Sequence, residues 1–364
     1  MSGKNKASDP QHQSASRKSV FGSAKRSVMM SKMTPFTTVR RRHVMTAQRV
    51  ARRKSQIKQQ PEKVDTTLND IVNKTWHVFC CSPLHKFNSN PKSLQQLSRL
   101  LSSVLAVETS RVGGIATSEE IGTKAIFSIA QGIAITEDDQ PAIKITVNTK
   151  DRNNVAEMLL CSLASGDLIG DASNNSCTDL KEKFTVLPLI LYKGNQSTKN
   201  VMFNWLKTEF DCIITKVTFN SLSLAWMLGM WSCMTDSEEA CKPISITWKI
   251  PIQHTGLDCI ESKFEPSSIE TLWNACHKGS DDIVLVEEVQ SLINGLQEHL
   301  LRHFCIKFQA LPLQQVCFTI ANIHADGKIK ILSPEHVHTV LCHMNNLALE
   351  LLDWRVEKSD EQSM

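Results

Sequence analysis

Residues 244–250 read Ile244-Ser245-Ile246-Thr247-Trp248-Lys249-Ile250, and every second side chain in the run is apolar. A strand turns successive side chains to opposite faces, so this pattern describes a sheet with Ile244, Ile246, Trp248 and Ile250 on a core and Ser245, Thr247 and Lys249 in water. A sheet with one wet face is antiparallel in character. The same period recurs at Phe304, Ile306 and Phe308 and at Val316, Phe318 and Ile320. Asp326-Gly327 then marks a tight turn before Lys328-Ile329-Lys330-Ile331-Leu332, which predicts a hairpin; a four-residue turn with a bulge fits equally well.

Helices flank these strands. Residues 284–303 place Val286, Val289, Ile293, Leu296 and Leu300 on one face. A second helix begins with Ser333 as N-cap and Pro334 at its first position, and carries Val337, Val340, Leu341, Met344, Leu347 and Leu351. Further toward the N-terminus, residues 66–74 and 91–107 read as helices, and 76–81, 123–135, 141–149, 156–164 and 184–192 as strands with mostly short connections. A helix over 198–210 precedes an apolar helix around Trp226, whose aromatic and Met side chains are core. The expected class is α+β, with mainly antiparallel sheets, flanking helices and a disordered basic N-terminal tail. The expected division is a tail over 1–62, an N-terminal α+β domain over 63–240, a C-terminal α+β dimerisation domain over 241–354 and a frayed tail over 355–364.

Charge is distributed unevenly along the 364 residues. Residues 1–60 hold 15 Lys or Arg against the single acid Asp9, leaving the remainder with 26 bases against 36 acids. A segment this polar buries too little apolar surface to offset chain entropy. Arg40, Arg41 and Arg42 form one basic run and Arg52, Arg53 and Lys54 another. Clusters of this kind release counterions from a phosphate backbone without needing a fold, and they serve equally well as a nuclear localisation signal. Ser19, Ser27 and Ser55 each follow two basic residues, as a basophilic kinase requires, and Thr34 precedes Pro35; phosphate at these sites weakens a polyanion contact.

The same reading excludes other classes. Twelve cysteines scattered through predicted elements of a long chain fit reduced thiols, not a disulfide scaffold. No secretory signal is expected, and the most apolar stretch, 219–234, is too short to span a bilayer. His299 and His303 lie one helical turn apart without the Glu of a zinc-protease helix. His336, His338, Cys342 and His343 point in several directions on a helix, Cys80-Cys81 lacks the spacer of a metal or redox pair, and Gly113-Gly114 is not a phosphate loop. Neither a catalytic residue nor a metal or cofactor site is expected.

Four segments, in order, complete the reading: Cys81-Ser-Pro-Leu-His-Lys-Phe87, Trp205-Leu-Lys-Thr-Glu-Phe-Asp-Cys212, Leu222-Ser-Leu-Ala-Trp-Met-Leu-Gly-Met-Trp231 and His324-Ala-Asp-Gly-Lys-Ile-Lys-Ile-Leu332. As a set they resemble the centromere protein L family over roughly residues 64–352. The resemblance implies a nuclear, non-enzymatic subunit of the constitutive centromere-associated network at the kinetochore. Its implied partners are centromere protein N in a heterodimer, centromere protein C, the complex of proteins H, I, K and M, and nucleosomes bearing the centromeric histone variant. It implies no membrane and no cofactor. The family's pairing surface maps onto residues 243–332, where an unpaired strand edge offers backbone groups to a partner. With Val316, Phe318 and Ile320 packed inward, the partner meets Thr247, Gln315, Cys317 and Thr319. Lys328 and Lys330 are read first as edge-protecting charges and second as phosphate contacts. The competing reading is a stand-alone DNA-binding chromatin protein acting through the tail.

Overall fold

The computed structural model describes residues 66–112, 122–134, 140–149, 155–163, 183–232, 242–254, 256–277 and 284–362. Thirteen strands are β1 (Thr75–Cys81), β2 (Leu84–His85), β3 (Lys124–Ile129), β4 (Ile143–Asn148), β5 (Ala156–Cys161), β6 (Phe184–Thr185), β7 (Leu189–Lys193), β8 (Ile214–Lys216), β9 (Ile244–His254), β10 (Leu257–Phe264), β11 (Leu313–Cys317), β12 (Ala321–His324) and β13 (Lys328–Ile331). The helices are α1 (Thr66–Asn69), α2 (Pro91–Val112), α3 (Gln196–Phe210), α4 (Ser221–Ser232), α5 (Pro266–Cys276), α6 (Val286–Phe304) and α7 (Val337–Gln362). All strands except β2 and β6 form one antiparallel sheet ordered β10-β9-β11-β12-β13-β1-β7-β5-β4-β3, with β8 also paired to β1. The α+β class holds.

Helices cover opposite faces at the two ends of this sheet. At the β10 end, α4 to α7 bury Ile246, Trp248, Val316, Ile323, Ile329 and Ile331 in the larger core. At the β3 end, α2 and α3 bury Phe127, Ile145, Met158, Leu160 and Ile190 on the other face. β1 serves both: Trp76, Val78 and Cys80 enter the larger core, whereas Phe79 and Cys81 enter the second. β7 and β5 do the same, with Leu189, Leu191, Leu159 and Cys161 in the larger core and Ile190, Tyr192, Met158 and Leu160 in the second, because the two coverings overlap from β1 to β5 and alternation feeds both. The division at 240/241 falls between α4 and β9, while the sheet and the larger core run across it through the β1–β13 pairing.

Several elements match the sequence pattern. The β12–β13 hairpin turns at Asp326-Gly327, with the Gly327 N–H donating to the His324 carbonyl at 3.0 Å. Trp226 and Trp231 are each 1 % exposed on α4. The Trp231 Nε1–H donates to His343 Nδ1 on α7 at 2.7 Å, and the Trp231 ring meets Phe318 edge-on at 5.4 Å. Truncating such a side chain removes both dispersion contacts and a satisfied donor, at a cost of about 3–5 kcal/mol.

Other expectations are corrected. Phe304, Ile306 and Phe308 do not form a strand: α6 runs to Phe304, Cys305 takes a left-handed φ of 56° as its C-cap, and Phe308 opens a 3-10 turn that lays its ring on Trp248 at 4.9 Å. A left-handed residue breaks the two-residue period, leaving Phe304 and Ile306 exposed. The run 316–320 is divided as well. β11 ends at Cys317, residues 318–320 turn, and the strand before the hairpin is β12. Ser333 and Pro334 hold the N-cap and first positions as read, but of a 3-10 turn over Pro334–His336 that precedes α7, and the Ser333 side chain makes no cap hydrogen bond. α7 itself continues to Gln362, past position 355 where order was expected to end. β10 and α5 have no counterpart in the sequence reading.

Candidate interaction surface

The face of the sheet opposite α4 to α7 is polar along two complete rows. One row crosses six strands as Lys263, Ser245, Cys317, Asn322, Lys330 and Thr75. The next runs Glu261, Thr247, Gln315, His324, Lys328 and His77. Directly opposed residues share a face, so these side chains stand together whatever their distance in sequence. Thr247, Gln315, Cys317, Lys328 and Lys330 therefore converge on one surface. Thr319 does not, because it lies in the bend between β11 and β12. Arg40 to Arg42, Arg52 to Lys54, Ser19, Ser27, Thr34 and Ser55 lie outside the described residues.

The surface is cationic. Lys199, Lys216, Lys249, Lys263, Lys328 and Lys330 stand on it, while the Glu261 carboxylate accepts from Ser245 Oγ at 2.5 Å and stands 4.0 Å from Lys263 Nζ, and Asp326 Oδ2 lies 3.4 Å from His324 Nδ1. His77 lies where the lysines are densest. Partial burial, and then the charges of Lys328, Lys199 and Lys216, hold its imidazole below the ordinary value of 6.5. Burial and Lys216 likewise lower Lys199, whose ammonium sits 5.3 Å above the Phe79 ring. Like charges gathered this closely repel, and an incoming anion relieves that repulsion. At the centre of the rows Gln315 Nε2 donates to Cys317 Sγ at 3.0 Å, and burial pushes that thiol upward.

Lys328 and Lys330 are not edge charges. β13 is flanked on both sides, Lys328 by His77 and His324 and Lys330 by Thr75 and Asn322. β9 and β11 are interior too. The two ends of the sheet are β3 and β10, and they are treated differently. At β3, α2 lies along the edge: the Ala125 N–H donates to Ser102 Oγ and the Phe127 N–H to Ser98 Oγ, both at 2.9 Å. Those serines supply the acceptors a further strand would otherwise provide. At β10, Leu257, Asp258, Cys259, Glu261 and Lys263 are exposed, and only Ile260, Ser262 and Phe264 are partly covered. β9 and β10 also extend beyond β11, whose last partner on β9 is Trp248, as a two-stranded arm reaching His254 and Leu257, the latter 53 % exposed. Sequence patterning missed β10 because its inward face is only half covered, by Ile260 and Phe264 with Ser262 between them, so the apolar period is weak. Lys249 was legible from alternation with Thr247; Lys199, Lys216 and His77 arrive through long-range pairing.

Among the described residues no group of three or more His, Cys, Asp or Glu is placed to hold a metal ion. The His299 and His303 rings are 4.4 Å apart with no third ligand, and His338 and His343 diverge toward the Gly132 carbonyl and Trp231. No helix among them is long and apolar enough to cross a membrane.

Comparison with known proteins gives a consistent result. A family model described as centromere protein L matches residues 70–361. Proteins named centromere protein L are 30 % identical over 280 residues in Rattus norvegicus, covering 77 % of this chain and 79 % of the relative. The one from Xenopus tropicalis is 30 % identical over 286 residues, with 78 % and 80 % covered. The one from Homo sapiens is 29 % identical over 288 residues, with 77 % and 80 % covered.

Proposed function

This chain belongs to the centromere protein L family, and from that premise we propose that it is a non-enzymatic structural subunit of the centromere, working in the constitutive centromere-associated network. In this reading it pairs with centromere protein N by strand addition at β10 and, as part of that assembly, supports kinetochore attachment and chromosome segregation in the nucleus. The observation that carries the pairing is the contrast between the sheet edges: β3 is stitched by Ser98 and Ser102, and among the described residues β10 has no strand on its outer side. An open edge presents a row of backbone donors and acceptors to a partner strand. Thr247, Gln315, Cys317 and the two lysines then line the surface beside the joint rather than the joint itself. Centromere protein C and the complex of proteins H, I, K and M are further partners in this reading.

Proline scanning tests the proposal with its control built in. Successive N–H groups of a strand point to opposite sides, so of Glu261→Pro and Ser262→Pro one removes a bond to β9 and the other only an outward donor. The outward variant should melt normally and fail to co-purify with centromere protein N. Wild-type co-purification by both folded variants would reject strand addition at β10.

A second reading is favoured by the lysines around His77: the polar face meets the phosphates of nucleosomal DNA. Replacing Lys199, Lys216, Lys328 and Lys330 by Gln should lower DNA affinity at every sequence and flatten its dependence on salt.

A further inference from the structure

A separate feature lies at the other end of the sheet and does not depend on the β10 reading. Between α2 and the outer edge of β3 runs a cleft of about 930 Å³, a size that suits a short peptide. The serine stitches fix its register. Ser102 stands beside Ala125 and Ser98 beside Phe127, and one turn further along α2 the place of a third serine is taken by Leu94, with Ile129 the next alternate residue of β3. There the apolar lining is Pro91, Ile129, which is 44 % exposed, and the largely buried Leu94 behind them, with Gln95, Ser128 and Gln131 at the rim. Toward Ser102 it becomes cationic, with Arg99 on the helix and Lys124 next to Ala125, and among the described residues no Asp or Glu lines it.

We propose that this cleft docks an extended acidic peptide bearing one apolar residue about four positions from its acids. The spacing follows from the scaffold. Leu94 and Ser102 are eight residues apart on a helix rising 1.5 Å per residue, about 12 Å, which an extended chain at about 3.3 Å per residue crosses in about four. The apolar side chain fills the Pro91–Leu94–Ile129 end and the carboxylates meet Arg99 and Lys124. The peptide is gripped by its side chains, because the Ala125 and Phe127 N–H groups already donate to serines. Charge complementarity selects this occupant: among the described residues the lining offers Arg99 and Lys124 and no anion. With β10 at the opposite end of the sheet, the chain then holds two partners at once.

The test is fluorescence anisotropy of the full chain with fluorescein-labelled Gly-Leu-Gly-Ser-Gly-Glu-Asp-Gly. Saturable binding with a dissociation constant of about 10–100 μM is expected. Replacing the peptide's Leu by Ser, or combining Arg99→Glu with Lys124→Glu in the protein, should each weaken it about tenfold. Lys92→Glu, on the same helix but outside the cleft, should leave it unchanged. No saturable binding up to about 1 mM would overturn the proposal, as would equal weakening by Lys92→Glu. Sedimentation revealing a dimer that the Arg99→Glu, Lys124→Glu variant dissolves would assign the cleft to a second copy and overturn it too.

Discussion

Gly327 joins β12 to β13 at a φ of 78°, and a Cβ built there would lie 1.9 Å from the Val217 carbonyl oxygen. Gly327→Ala therefore meets two penalties. Placing an L residue in the left-handed region costs about 1–2 kcal/mol. The clash must also be relieved by moving backbone, since the obstacle is a main-chain carbonyl and not a flexible side chain. That backbone is anchored: the Val78 N–H donates to the Gly327 carbonyl at 2.8 Å and the Val217 N–H to the Val78 carbonyl at 3.0 Å. Loosening both bonds adds about 1–3 kcal/mol, so the total is about 3 kcal/mol or more. For a body of this size that corresponds to a fall in Tm of about 5 °C. Thermal melts followed by circular dichroism measure it, with Gly327→Asn as a companion, because Asn tolerates the backbone angle and retains the Cβ clash. If Gly327→Ala melts within about 2 °C of the parent, the close approach of the hairpin to Val217 is wrong.

Other consequences are as direct. Trp231→Ala should lose about 3–5 kcal/mol in urea unfolding, because it empties a buried site shared with Phe318 and His343. His77 titrates below 6.5 in the folded chain, so between that folded value and 6.5 the unfolded chain binds more protons; stability is fully present above 6.5 and is lost as pH falls through the folded value. Melts of His77→Gln between pH 5 and 7.5 should show a shallower acid loss than the parent. Replacing Arg40, Arg41, Arg42, Arg52, Arg53 and Lys54 by Ala should lower the slope of log affinity for DNA against log salt by about 0.9 for each phosphate contact removed, read from titrations at several salt concentrations. Ser98→Ala with Ser102→Ala should uncover the β3 edge and produce concentration-dependent association in sedimentation velocity, where the parent stays unchanged.

The sequence carried local order well and long-range order poorly. Ile244 to Ile250 announced a half-wet strand because alternation is a property of neighbours, and Asp326-Gly327 announced its turn for the same reason. The sheet order had no such signal. Nothing near Trp76 says that it pairs with Ile329, and without that pairing neither the double covering of β1 nor the gathering of Lys199, Lys216 and Lys328 around His77 follows. Even so, placing Thr247, Gln315, Cys317, Lys328 and Lys330 on one face needed only the period of two, and that part was legible. Identifying the open edge was not, because the inward face of β10 carries only Ile260 and Phe264, half covered, with Ser262 between them.

The position of β1 also sets a timetable for the nascent chain. Trp76 leaves the ribosome long before Ile329, its neighbour across the sheet, so the larger core cannot close until the β12–β13 hairpin has been made. The smaller core, built from residues up to Ile214, can assemble first and hold β1 by its Phe79 and Cys81 side while Trp76, Val78 and Cys80 wait uncovered. During that interval an apolar strand stands exposed on a half-formed protein, which makes the β1 stretch the place where a chaperone would bind and where a truncated chain would aggregate.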